Sequence, residues 1–534
     1  MRKGLFSPFG GENSFLSTVW AILPHFGKES LFIYCLRGAF FIFFVFFTII
    51  QTSLNFFRIC AIISCVCFFF LGFDVQETLM FKSHAHRTMD MTEGSLLTKV
   101  LFFSLPIMLS GILQLMFNAV DIIVIGRFSG SQSLAAGGST TALINMFTNL
   151  FIGISLGANV LSARFYAAGK DKEMSETVHT AITLALISGI IMVFVGWIFA
   201  KPVLELMDTP DDVINLSTLY MRIYFMGMPF FMLYNYGASI LRAVGDTKRP
   251  LFYLIVAGIA NAGLNMCLVI IFHLGVAGVA IGTVISQLIS SILVLRCLYR
   301  SETSYQLRFS KLKIQKEYLK QIFQVGIPAG IQSTVINFSN VLLQSSVNSF
   351  GSIAMAGYTA ANNIFGFLYV TVNAVTQACM SFTSQNYGVG KWKRMDRVLI
   401  DCLILSFVAM MILGNSAYFF GPKLLTIYTS NSKVIQCGME ILLYTTVTYF
   451  LCGFMDLFPG ALRGMGRSGV PMILSIIGTV GTRIVWIFWI FPNHRSLDIL
   501  FISYPASWII TIVLQVICYY FVRKQLYAKM RAEA

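Results

Sequence analysis

The sequence predicts an all-α integral membrane protein. It should contain about twelve transmembrane helices in two parallel six-helix repeats, preceded by an extra apolar N-terminal segment. Three observations predict this. Apolar runs of bilayer-spanning length recur along the 534 residues, and each such run needs roughly 20 residues. The chain is 57% hydrophobic and 11% charged, whereas soluble domains carry about a quarter of their residues as charges. The chain also repeats itself. Leu241-Arg-Ala-Val-Gly-Asp-Thr-Lys-Arg-Pro250 returns as Leu462-Arg-Gly-Met-Gly-Arg-Ser-Gly-Val-Pro471, 221 residues later. The same interval links Tyr166-Ala-Ala-Gly-Lys170 to Tyr387-Gly-Val-Gly-Lys391, and a nearly equal one links Leu105-Pro106 to Ile327-Pro328. Backbone groups in lipid must pair internally, and the alternating pattern of barrel strands is absent, so the spans are helices. A duplicated half in an apolar chain permits two similar bundles to rock about a site between them.

Taken in order, residues 1–90 lie outside the repeat. They hold apolar runs near 31–50 and 54–73, which carry Arg37 and Arg58. They form one or two extra spans, or they are not native and the chain starts at Met91, where the core pattern begins. They are too long for a simple signal peptide. A first lobe follows over 91–300, with helices expected at 99–126, 133–164, 176–199, 212–242, 250–272 and 276–299. Asp208, Asp211 and Asp212 beside Pro210 read as the start of its fourth helix. A basic linker occupies 301–318. The second lobe, 319–534, has helices expected at 319–349, 353–386, 398–420, 433–462, 471–490 and 499–522, then a short basic tail.

The formal charge is +15, which in a soluble protein would suggest a nucleic-acid partner. Here the basic residues gather in short loops on one side, among them Arg164, Lys170, Lys248, Lys391, Arg463 and Arg523. The positive-inside rule accounts for them without nucleic acid and puts both ends of the core in the cytoplasm of a cell inner membrane. Six helices per lobe give both lobes one orientation. The eleven cysteines show no zinc-like spacing. No His/Glu metal motif, phosphate loop or nucleophile elbow is present. An integral-membrane transferase would need clustered acids for Mg²⁺ and pyrophosphate; the acids at 208–212 are the densest group and suit a helix cap. The expectation is a monomer with no resident cofactor and no enzymatic chemistry.

Charge inside a bilayer is costly, so intramembrane carboxylates mark candidate sites. Asp121 shares a helix face with Ser110, Gln114 and Asn118. It is either functional or a structural carboxylate held by those neighbours or by Arg127. Asn261 and Asn265 project from one face of the fifth helix, and Thr283 reaches a similar depth on the sixth. Asp456 on the tenth helix lines a cavity or forms a salt bridge with Arg463 or Arg467. Further polar positions are Asn145, Gln287 and Asn337. The repeat counterparts of Asp121 and Asp456 are Leu343 and Asn235, so neither acid is needed to build a lobe.

Pro106…Asp121…Gly126, the two Leu-Arg-x-x-Gly…Pro segments, Asn261-x-x-Leu-Asn265 and Gly278…Gly282-Thr283 occur in order. The chain thereby resembles the MATE family of multidrug and toxic compound extrusion transporters over about 95–525. The resemblance implies a V-shaped two-lobe bundle that exports cationic or amphipathic drugs in exchange for inward Na⁺ or H⁺. It maps a cation-coupling site onto Asp121, Asn261, Asn265 and Thr283, with Na⁺, if used, at Asp121 and Asn265. Pro106 corresponds to a helix-bending proline. Asp456, Asn118, Gln114, Gln287, Asn145 and Asn337 are the expected lining of a substrate cavity. Asn265 stands where some members carry a second carboxylate, which leaves the ion's identity open. A lipid-linked sugar flippase of the wider superfamily is the alternative. It calls for a cationic central cavity; here Arg and Lys sit at the cytoplasmic ends of the core helices, with Arg483 as an exception.

Overall fold

The computed structural model describes residues 88–533 except Asp208. The chain divides into two compact units, Met1–Gly72 and Phe73–Ala534, and the description concerns the second. The extra spans expected within 1–90 lie outside the described residues, apart from its last three. Cys65 and Cys67 lie outside them too.

Besides the short helices Phe309–Lys311 and Gly421–Thr426, twelve longer helical segments follow one another among the described residues. They are α1 (Leu96–Phe128), α2 (Gly130–Ala167), α3 (Asp171–Leu206), α4 (Asp211–Met226 and Met228–Ala243), α5 (Lys248–Met266, continuing as the π-helix Cys267–Ile271) and α6 (Gly275–Arg300). After the linker come α7 (Lys316–Asn348), α8 (Ser352–Gly388), α9 (Trp392–Phe419) and α10 (Ser432–Thr446 and Tyr449–Gly464). In α11, short helices Gly469–Ser475 and Thr482–Val485 alternate with π-helical turns Ile476–Gly481 and Trp486–Ile490, and α12 is Leu497–Glu533. Among the described residues there is no strand. The chain is a multi-pass membrane protein. Nine of these segments are long and apolar enough to cross a bilayer unbroken, and α10 qualifies as a pair bent by 44°. The other two have physical reasons to fall short. The halves of α4 are 16 residues each, divided at Gly227. α7 carries a polar stripe of Gln332, Ser333, Asn337 and Asn340 that faces a cavity rather than lipid.

The helices extend up to about three turns beyond the apolar runs, most of all at the C-terminal end of α12. Helical hydrogen bonding continues past the hydrocarbon boundary into water, and hydropathy does not register it. α1 runs through Pro106 and α7 through Pro328 without interruption. The fourth helix starts where expected: Pro210 occupies the N-cap position with Asp211 and Asp212 in the first turn, but no side chain makes a capping hydrogen bond among the described residues.

The lobes meet most tightly where α2 crosses α7. A Cβ on Gly153 would lie 2.3 Å from the Gly330 nitrogen, and one on Gly157 would lie 2.2 Å from the Ile322 oxygen. Small residues let two backbones approach this closely, the usual basis of helix association in lipid. Beside this crossing, Asn159 on α2 joins three helices. Its Nδ2 donates to Ser239 O on α4 (2.8 Å), and its Oδ1 accepts from Ser381 on α8 (3.0 Å).

The stretch before α1 is fastened to both lobes. Thr88 accepts from the Tyr166 hydroxyl on α2 at 3.2 Å. Met91 is fully buried, and its carbonyl accepts from Asn386 on α8 at 3.1 Å. The packed core therefore extends upstream of the Met91 boundary read from the pattern, to at least Thr88. The linker is strapped along α3: His179 Nε2 accepts from the Arg308 amide (3.0 Å), and Thr180 accepts from the Gln315 amide (3.2 Å).

Candidate functional site

Two polar centres lie inside the helical bundle, one in each lobe. In the first lobe, α1 delivers Asp121, α5 delivers Asn261 and Asn265, and α6 delivers Thr283. Asn265 Nδ2 donates to Asp121 Oδ1 at 2.5 Å and also lies 3.3 Å from Asn261 Oδ1. Thr283 Oγ1 donates to Asp121 Oδ2 at 3.4 Å and accepts from Asn261 Nδ2 at 3.3 Å. The three residues expected at one depth, together with Asn261, thus form one hydrogen-bonded ring.

Close backbone packing makes the ring possible. A Cβ on Gly282 of α6 would fall 2.1 Å from Asn265 Oδ1, so only glycine leaves room for that amide. On α5, a Cβ at Gly258 would strike the ring of Phe117 on α1. Asn265 is fully buried, and its Oδ1 has no hydrogen-bond partner among the described residues. A buried polar oxygen without a donor is rare and calls for an explanation. The cluster offers the carboxylate, two amide oxygens and a hydroxyl, a hard oxygen-donor set that suits a small cation such as Na⁺. The carboxylate alone suits a proton.

In the second lobe, α7, α8, α10, α11 and α12, with part of α2, enclose a cavity of about 500 Å³. Its charged lining is Asp456, Arg463 and Arg483. The aromatic wall is Phe365, Tyr369, Tyr449, Tyr504 and Trp508. Tyr449 meets Trp508 edge-on with centroids 5.6 Å apart, and Phe365 stacks on Tyr449 at 6.2 Å. Arg463 Nη2 donates to Gln332 Oε1 at 2.7 Å.

Two of the six expected cavity residues, Asp456 and Asn337, line this cavity. The other four do not. Gln114, Asn118 and Asn145 are exposed, and Gln287 sits against the α4 break at Gly227 in the first lobe. The sequence supplied their polarity and helix face, but nothing in it said which lobe encloses the space. The salt bridge considered for Asp456 is not formed, because no ion pair within 4.0 Å joins it to Arg463 or Arg467 among the described residues. Arg483 was legible as a basic residue in an apolar run. Arg463, expected at a helix end facing water, instead borders the cavity and bonds Gln332.

The family model described as MatE matches residues 106–269 and 328–489. The two matched stretches begin at Pro106 and Pro328, the paired prolines of the repeat, and together cover more than half the chain. The chain belongs to the MatE family. Among curated MatE-like relatives, the probable multidrug resistance protein YoeA of Bacillus subtilis is 28% identical over 449 residues, 82% of this chain and 96% of the relative. The multidrug export protein MepA of Staphylococcus aureus is 23% identical over 380 residues, 71% of this chain and 84% of the relative. A crystal structure of MATE in the bent conformation superposes with a TM-score of 0.75, over 83% of this chain and 98% of that one at 20% identity. It supports the MatE fold as built above.

Proposed function

We propose that the protein is a cation-coupled antiporter of the cytoplasmic membrane. It exports amphipathic or cationic organic compounds by alternating access, in exchange for inward Na⁺ or H⁺. The observation that carries this reading is the ring of Asp121, Asn265, Asn261 and Thr283, with its donorless buried oxygen. It is a cation-sized set of oxygens assembled from three helices and separate from the aromatic-walled cavity. The names of YoeA and MepA, proteins of multidrug resistance and export, support the same reading.

The coupling works through repacking. A proton or Na⁺ at Asp121 neutralises the carboxylate and competes for the oxygens that hold Asn265 and Thr283. That changes how α1, α5 and α6 fit together. Substrate binding and ion binding are then linked, each weakening the other by the same factor. The basic loops support a cytoplasmic linker and cytoplasmic core ends; substrate is then taken up on that side and released outside.

The test is flux in proteoliposomes loaded with a panel of fluorescent amphiphiles, ethidium among them, with Na⁺ and pH gradients imposed separately. Efflux driven by one or both gradients is expected. Efflux of no probe under either gradient overturns the reading.

A further inference from the structure

Equivalent helix trios in the two lobes gather around opposite charges. In the first, α1, α5 and α6 converge on a carboxylate, Asp121. In the second, the equivalent helices α7, α11 and α12 converge on a guanidinium, Arg483. The repeat pairs Thr283 with Tyr504 and Asn265 with Trp486, and it pairs Arg483 with Ala262. The arginine is therefore an addition to the second lobe, absent from the common half-bundle.

Arg483 is 3% exposed and held only by neutral groups. Its Nη1 donates to Asn340 Oδ1 (2.7 Å) and Ser339 Oγ (3.2 Å), and its Nε donates to Ser507 Oγ (3.4 Å). Its Cζ lies 4.6 Å from the centroid of the Tyr504 ring. Nη2 has no hydrogen-bond partner among the described residues. No carboxylate within 4.0 Å neutralises Arg483 or Arg463 among the described residues. With Asp456 as its one acid, the cavity lining is net positive by one charge. A buried cation without a counter-ion is costly, and here neutral oxygens and a ring face offset that only in part. The π-helical turns that flank Thr482–Val485 set this residue apart within α11; such turns in helices are frequent at functional sites.

We infer that the second-lobe cavity binds an amphiphile through a monoanionic head group: a carboxylate, sulfonate or phosphodiester. The inference rests on the export reading above and specifies its substrate class. Nη2, the guanidinium nitrogen not already donating, supplies charge-assisted N–H donors for an oxyanion. The apolar body of the ligand lies along Phe365, Tyr449, Tyr504 and Trp508. Asp456 in the same cavity disfavours a dianion and gives a partner to the ammonium of a zwitterion.

The test uses the full protein in phosphatidylcholine nanodiscs with no ion gradient. The probes are 11-(dansylamino)undecanoic acid and its methyl ester, which differ in one charge and share one body. The acid is expected to bind about tenfold more tightly than the ester, the effect of one charge-assisted pair. Arg483→Gln should remove that preference, Arg463→Gln should reduce it, and Asp456→Asn should enlarge it. The Asp456 variant keeps the test decisive if loss of the buried arginine prevents folding. A loss of acid binding when phosphatidylglycerol replaces part of the phosphatidylcholine that is larger in the unmutated protein than in Arg483→Gln, where surface repulsion acts equally, would support the oxyanion site and identify a lipid head group as its occupant. Equal affinity for acid and ester in the unmutated protein overturns the inference, as does a preference that survives in both arginine variants. Binding is read without transport, so failure here is distinct from failure of gradient-driven efflux.

Discussion

Asn265 reaches from α5 to α1 to donate to Asp121 across 2.5 Å, while its own buried side-chain oxygen meets no donor among the described residues. The amide therefore orders the carboxylate and also presents a free acceptor beside it. Asp121→Asn would replace the charged member of this ring by a neutral isostere. Gradient-driven efflux in proteoliposomes is expected to fall by at least about tenfold, the effect of one differential interaction of roughly 1.4 kcal/mol. Membrane insertion, read by yield and size-exclusion profile, is expected to be unchanged. Full coupling in the variant would remove Asp121 from the mechanism.

Gly282→Ala puts a methyl group 2.1 Å from Asn265 Oδ1, so the amide must turn or α6 must shift. Overpacking of this kind costs roughly 1–3 kcal/mol. A lower melting temperature in detergent and weaker ion dependence of efflux are expected together. An unchanged ion dependence would show that the placement of Asn265 does not matter to coupling.

Gly157→Ala sets a methyl group 2.2 Å from the Ile322 carbonyl oxygen, a backbone atom that cannot rotate away. The α2–α7 crossing should open by a few tenths of an ångström or more, again at roughly 1–3 kcal/mol. The measurement is thermal stability, with cysteine accessibility at the crossing as a second readout. A variant as stable and as inaccessible as the parent would mean that the crossing has slack.

Gln332 is 3% exposed and accepts from Arg463 at 2.7 Å. Gln332→Leu keeps the volume and removes the acceptor, leaving a charged donor short of a bond at a cost of roughly 1–3 kcal/mol. The melting temperature should fall, and Gln332→Glu, which retains an acceptor, should restore it. Equal melting temperatures for the Leu and Glu variants would place the Arg463–Gln332 bond outside the energetics of the fold.

Much of this molecule was legible in its sequence, for identifiable reasons. The two-lobe plan follows from an interval that recurs in three separate segments. The first-lobe ring was readable because Asp121, Asn265 and Thr283 are the polar residues at one depth on three helices, and depth can be counted along a helix. The second-lobe cavity was not readable in the same way. Its walls come from six helices, and which polar stripes share it depends on helix rotation and on the bend in α10, which leave little local signal. Hence Asn145 and Asn337 looked alike in sequence, yet only Asn337 borders the space.

The strap along α3 has a mechanical meaning. His179 and Thr180 grip the linker at Arg308 and Gln315, and α7 begins at Lys316, one residue after the last grip. Almost no slack separates the first lobe from the first helix of the second. Any separation of the lobes is therefore limited along the α3–α7 edge by this short tether, and the side away from the linker carries no such restraint from it.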